Sequence, residues 1–361
     1  MTVLSRLTEG VSALVVSTYF LAMALIILLL ITTSIGQDLA SHQGHLVLGA
    51  FLIPIYTPIV INLLVGFLVL FAIFVLCFVA AARNNGGFPR SLQQFLVPGP
   101  RENKLPNWLV VMPIVSSALV LLVVALTLIQ DTAGLQTGSL PQLDPYQFLY
   151  TLAYAPPLEE TMFRISTIGL LVALRTVWST PSKNAEAPRK HNLGRIIALS
   201  FLSPEAAKSE AGLPTFKESG WHSLHWTEWL ILLITSAGFG LAHILSGVGW
   251  EAGKVLPAAI SGFALGFSYL LYGAYASILL HWFFNVYFEA YSLSSSLLGG
   301  LFVPLEGVIG LLTFVAGALG GIAGLVWLSS KRRGAGETTY TIPNNPSVTS
   351  GEGALYHRQV D

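Results

Sequence analysis

The chain has 361 residues with 18 Lys+Arg against 18 Asp+Glu, so 10% are charged, where soluble domains carry about 25%. Hydrophobic residues reach 53% and the mean hydropathy is +0.69. These values exclude a soluble enzyme, a disordered chain and a basic nucleic-acid binder, and leave a multispan membrane protein. The single cysteine, Cys77, excludes an internal disulfide and a Cys-based metal cluster.

Apolar stretches of about 20 residues can cross the ~30 Å hydrocarbon layer as helices. In chain order eight are predicted, at 11–35, 51–82, 108–129, 148–174, 229–245, 255–272, 276–293 and 305–328. The first exceeds the ~7–15 apolar residues of a secretory signal and is read as a retained span. Arg6 precedes it. Arg83, Arg90, Arg101 and Lys104 lie between spans two and three, and Arg175, Lys183, Arg189, Lys190, Arg195, Lys208 and Lys217 between four and five. Lys331, Arg332, Arg333 and Arg358 follow span eight. Sixteen of the 18 cations thus fall on one face, leaving Lys254 opposite and Arg164 within a span. Cytoplasmic connections are enriched in Lys and Arg, so both termini are expected to be cytoplasmic and the span count even.

The predicted fold is all-α, a polytopic transmembrane helical bundle of about eight spans in the cell membrane. Residues 1–144 form three N-terminal spans and their loops. Residues 145–330 form a core with a loop near 178–227, in which 193–202 reads as a short interfacial helix. Residues 331–361, rich in Gly, Thr, Asn, Pro and Ser, read as a disordered tail. No internal repeat suggests an inverted-repeat transporter.

Ionisable groups at membrane depth cost roughly 2.5–3.5 kcal/mol each on insertion scales, which makes them functional candidates. Span four carries Glu159, Glu160 and Arg164 just after Pro156 and Pro157. Glu160 and Arg164 stand at i and i+4 with the carboxylate N-terminal, the better order for a helical ion pair. Glu159 points about 100° away with Phe163 at its i+4 position, which leaves it free for chemistry. The two prolines are expected to kink or restart the helix, placing both carboxylates in a first turn. A structural ion pair is the plainer reading of Glu160 and Arg164.

His243 closes span five, and by itself is an ordinary hydrogen-bonded histidine. Span seven places His281, Asn285 and Glu289 at i, i+4 and i+8, one polar stripe on an apolar helix. A carboxylate, two imidazoles and a carboxamide suit hydrolysis, with Glu159 and His243 activating water and His281 and Asn285 donating to an oxyanion. The alternatives are a zinc ion held by Glu159, His243 and His281, or a proton-coupled carrier that uses the same Glu and His residues. Straight helices would separate His243 and His281 in depth by about 10 Å.

The stretches Glu159-Glu160-x-x-x-Arg164, Phe239-x-x-x-His243 and His281-x-x-x-Asn285 resemble, in order and on separate spans, the motifs of the CPBP intramembrane proteases. That group includes the type II CAAX prenyl endopeptidases and the Abi proteins. The resemblance implies an endopeptidase acting on a membrane-associated or prenylated tail. Glu159 and His243 would activate water, Glu160 and Arg164 would support them, and His281 and Asn285 would stabilise the oxyanion. Glu289 belongs to none of the motifs and is expected to support the others from behind.

Overall fold

Long runs of Leu, Val, Ile and Phe satisfy their backbone only by coiling on themselves where no water is available. A computed structural model describes residues 3–91, 105–179 and 192–334. In it the runs are helices α1 (Val3–Thr32), α2 (Ile35–Ser41), α3 (Leu63–Arg83), α4 (Trp108–Thr132), α5 (Pro145–Glu160) and α6 (Thr167–Ser179). After α7 (Leu193–Leu202), α8 (Pro204–Glu210) and α9 (Phe216–Ser219) come α10 (Trp226–Leu245), α11 (Val255–Tyr272), α12 (Ala274–Trp282), α13 (Phe288–Leu298) and α14 (Phe302–Gly334). Residues 335–361 of the expected tail, residues 180–191 of the expected 178–227 loop and the cations Arg101, Lys104, Lys183, Arg189, Lys190 and Arg358 fall outside the described residues, whereas 331–334, expected in the disordered tail, are helical and continue α14.

The chain divides into two compact units, Met1–Gly321 and Ile322–Asp361. Of the second, residues 322–334 are described and are helical. Among the described residues seven helices are long and apolar enough to cross a membrane, including one of 35 residues at Pro145–Ser179. The fold is therefore a predominantly helical, multi-pass bundle. The remaining predicted span, 276–293, lies in the continuous helical run 274–298, where His281, Asn285 and Glu289 lower the hydropathy.

One core holds the first unit together. Tyr19, Ile26 and Leu29 of α1, Phe74 of α3, Trp282 of α12 and Tyr287 are all fully buried in it. Tyr19 donates its hydroxyl to Leu279 O at 2.9 Å and Tyr287 Oη lies 2.7 Å from Thr18 Oγ1, so these buried tyrosines bring their polar ends to partners. The opposite faces, such as Leu68, Val69 and Leu76 on α3 or Leu230, Leu233 and Leu241 on α10, are exposed and apolar. Such a surface suits lipid and would be costly in water.

Span two departs from expectation. Residues 51–62 are not the start of a helix. They form the turn and second strand of an antiparallel hairpin, β1 (Gln43–Ala50) with β2 (Ile53–Asn62). Hydropathy cannot tell an apolar strand from an apolar helix. Pro54, Pro58 and the β-branched residues of IPIYTPIVIN favour extended backbone, and the Asn62 side chain accepts from Leu64 N at 3.0 Å to start α3 there. Phe51 and Leu52 take positive φ of 48° and 68°, a hairpin turn that normally selects Asn and Gly. The turn is held from outside: Phe51 N donates to Ser166 Oγ at 2.8 Å and Leu52 N to Met162 O at 3.2 Å. Val47 N donates to Tyr154 Oη at 3.0 Å, and the tyrosine hydroxyl donates back to Val47 O. A Cβ at Gly49 would stand 2.5 Å from Leu158 O, so only glycine lets β1 lie this close to α5.

The segment 193–202 is helical as expected, and its neighbours are clamped by charge. Glu228, wholly buried in the first turn of α10, meets Lys208 Nζ at 2.9 Å and Arg175 Nη1 at 3.1 Å. Lys208 also reaches Glu205 at 3.2 Å. This clamp ties α6, α8 and α10 together.

Candidate functional site

The i, i+4 pair in span four forms as its spacing dictates. Arg164 Nη1 donates to Glu160 Oε1 at 3.0 Å, and both side chains are 0% exposed. Arg164 Nη2 donates to Gly262 O at 3.1 Å, and the guanidinium lies 4.3 Å from the Phe239 ring centroid. A Cβ at Gly262 would come within 3.2 Å of Arg164 Nη2 and 3.1 Å of the Phe239 ring, so any side chain there would crowd both. A buried ion pair persists only when further partners offset desolvation. Here a carbonyl and an aromatic face supply them.

The prolines do not restart the helix. α5 runs unbroken through Pro156 and Pro157 to Glu160, so both carboxylates sit at its C-terminal end, away from the favourable end of the macrodipole. The irregularity comes after them instead, as a π-helical segment at Thr161–Ser166. Thr161 Oγ1 donates to Pro157 O at 2.6 Å, and Ser166 Oγ donates to Thr161 O at 2.6 Å. A second π segment, Phe283–Tyr287, joins α12 to α13 and contains Asn285. Each such turn inserts a residue and rotates the rest of the helix by roughly 100°. One such insertion turns Glu289 from about 80° to about 20° away from His281 around the helix, so it does not by itself take Glu289 off the stripe. Asn285 is half-buried. Glu289 lies within electrostatic reach of Glu306 on α14.

His281 joins the two carboxylates. Its Nδ1 lies 2.8 Å from Glu160 Oε1 and its Nε2 lies 3.5 Å from Glu159 Oε2. His281 is nearly buried, whereas the Glu159 side chain is 26% exposed. On α10 His243 Nδ1 lies 2.8 Å from Phe239 O. A carbonyl can only accept, so this nitrogen carries a proton, and in the neutral ring Nε2 then presents its lone pair. The Phe239 ring centroid is 4.9 Å from His243 and 5.7 Å from His281. One aromatic ring thus spans the depth gap expected between the two histidines, and His243 also lies within electrostatic reach of Glu159.

Lys254 is a neighbour that sequence reasoning left on the far face. It too lies within electrostatic reach of Glu159. Only the tertiary fold brings the loop between α10 and α11 to span four, so no local pattern could have signalled it. Among the described residues no three His, Cys, Asp or Glu side chains gather closely enough to hold a metal ion. Glu159, His243 and His281 as arranged do not form such a group.

The arrangement can move a proton. A partly exposed carboxylate touches an imidazole whose other nitrogen is anchored on a buried ion pair, with a second imidazole lone pair nearby. Residues 141–287 match the family model described as Type II CAAX prenyl endopeptidase Rce1-like, and the match includes all three motif stretches. No curated protein matches the chain, and no solved structure does.

Proposed function

We propose that this chain, matched over residues 141–287 by the Rce1-like family of type II CAAX prenyl endopeptidases, is an intramembrane endopeptidase of the cell membrane. Its substrate is a membrane-associated tail, prenylated near its C-terminus, whose peptide bond is cleaved by water. The contact between Glu159 and His281 Nε2 carries this reading, because it couples the one accessible carboxylate of the cluster to a fixed imidazole.

Glu159 takes a proton from water while the His243 Nε2 lone pair orients it, and the oxygen attacks the scissile carbonyl. The His281 imidazolium, held through Nδ1–H by Glu160, donates its Nε2–H to the oxyanion together with the Asn285 carboxamide. As the C–N bond breaks, Glu159 returns its proton to the leaving amine. Arg164 touches no reacting atom and acts by holding Glu160 in place. The cation-rich loops mark the cytoplasmic face, from which the tail enters.

Purified protein incubated with a farnesylated peptide bearing a free C-terminal tripeptide is expected to release that tripeptide. Glu159→Gln should lower the rate by about 100-fold or more. Activity should survive thorough chelation. Loss on chelation with rescue by zinc would sink the metal-free route, and solute flux in liposomes that needs Glu159 without any cleavage would replace the protease with a carrier.

A further inference from the structure

Lys254 stands out among the charges that the proposed chemistry leaves unused. Its Nζ lies 4.0 Å above the Trp250 ring. Among the described residues no carboxylate comes within 4.0 Å of it in an ion pair. The charged groups around it are Glu159 and His243, both within electrostatic reach, and Glu251 three residues before it on its own loop. A half-buried ammonium facing an aromatic ring retains donors for an anion.

The mount is rigid. Glu251 N donates to Thr137 O at 3.0 Å, Gly253 N to Gln136 O at 2.8 Å, and Ser139 N to Gly249 O at 3.2 Å. Trp250 pairs with Gly138 in an isolated bridge. A Cβ at Gly253 would stand 2.6 Å from Gln136 O, so the backbone approach there admits only glycine. Two loops from different spans therefore fix the base of Lys254.

We infer that Lys254 is the recognition point for the free α-carboxylate at the end of the substrate tail, a specificity contact that rests on the protease reading above. A leaving segment of three residues spans about 10 Å when extended. Its carboxylate is an anion that must enter a site already holding Glu159. Like charges there repel, and a cation between or beside them offsets that repulsion. The carboxylate also supplies the oxygen acceptors that Lys254 otherwise lacks, through the stronger, charge-assisted kind of hydrogen bond.

The test compares two farnesylated peptides of one sequence, one ending in a carboxylate and one in a carboxamide. The wild type is expected to prefer the acid by about tenfold or more in kcat/KM, expressed in KM. Lys254→Met should bring the ratio to about one, and Lys254→Arg should restore most of it. On the wild type alone, the released tripeptide acid should inhibit more strongly than its amide by a similar factor. Equal cleavage of acid and amide by the wild type overturns the inference, as does a Lys254→Met enzyme that slows both peptides equally and keeps their ratio. Cleavage of neither peptide overturns the protease reading instead.

Discussion

At the start of α10, Glu228 engages both Lys208 and Arg175, and Lys208 takes Glu205 as well, so each buried charge meets an opposite one. In the middle of the Pro145–Ser179 span, Glu160 is served in the same way by Arg164 and His281. Glu159 is not. It keeps a single imidazole at 3.5 Å and a quarter of its side-chain surface. The first cluster closes on itself and can only hold helices together. The second spends its buried pair on fixing a histidine and leaves the adjacent carboxylate open to a reactant.

Arg164→Met would test this contrast most severely. It strands Glu160 in the core and should cost about 3–5 kcal/mol of unfolding free energy in mild detergent. Glu228→Gln should cost about 2–3 kcal/mol, less because Lys208 keeps Glu205 and the partly exposed Arg175 can turn to water. Glu159→Gln should change stability by under about 1 kcal/mol, as expected for a partly exposed group with one side chain in direct contact. Should it destabilise as much as Arg164→Met, Glu159 is one more structural charge and the contrast collapses.

Glu205→Gln should have the smallest effect. Burial raises the Glu205 carboxyl above its ordinary value, although Lys208 and the Phe216 N–H pull the other way. A carboxyl raised on folding adds stability below the unfolded carboxylate range and loses it as pH climbs through the raised value. The variant, which cannot ionise, should therefore gain on the wild type as pH rises through weakly acidic values. A flat difference curve would show that Lys208 fully offsets burial at this position.

Much of this was legible in the residues themselves. The span at 255–272 coincides with α11, and the i, i+4 spacing of Glu160 and Arg164 forms its ion pair, because both depend on local helical geometry. The hairpin was not legible as such, since a hydropathy window counts Ile and Val alike in strand or helix. The two π segments carry no composition signal; they depend on how a helix is held by its neighbours. The placement of Lys254 beside Glu159 arises from loops far apart in sequence, which no periodicity records.

The hairpin also bears on how the protein is made. Its first strand and turn donate backbone N–H groups to Tyr154, Met162 and Ser166, residues synthesised about a hundred positions later. Within lipid an unpaired strand edge is prohibitively costly. During synthesis the segment between the first two spans must therefore wait at the membrane surface, or stay in the keeping of the insertion machinery, until the fourth span arrives. The fourth span, which carries the candidate site, is thus also the template on which an earlier part of the chain takes its final shape.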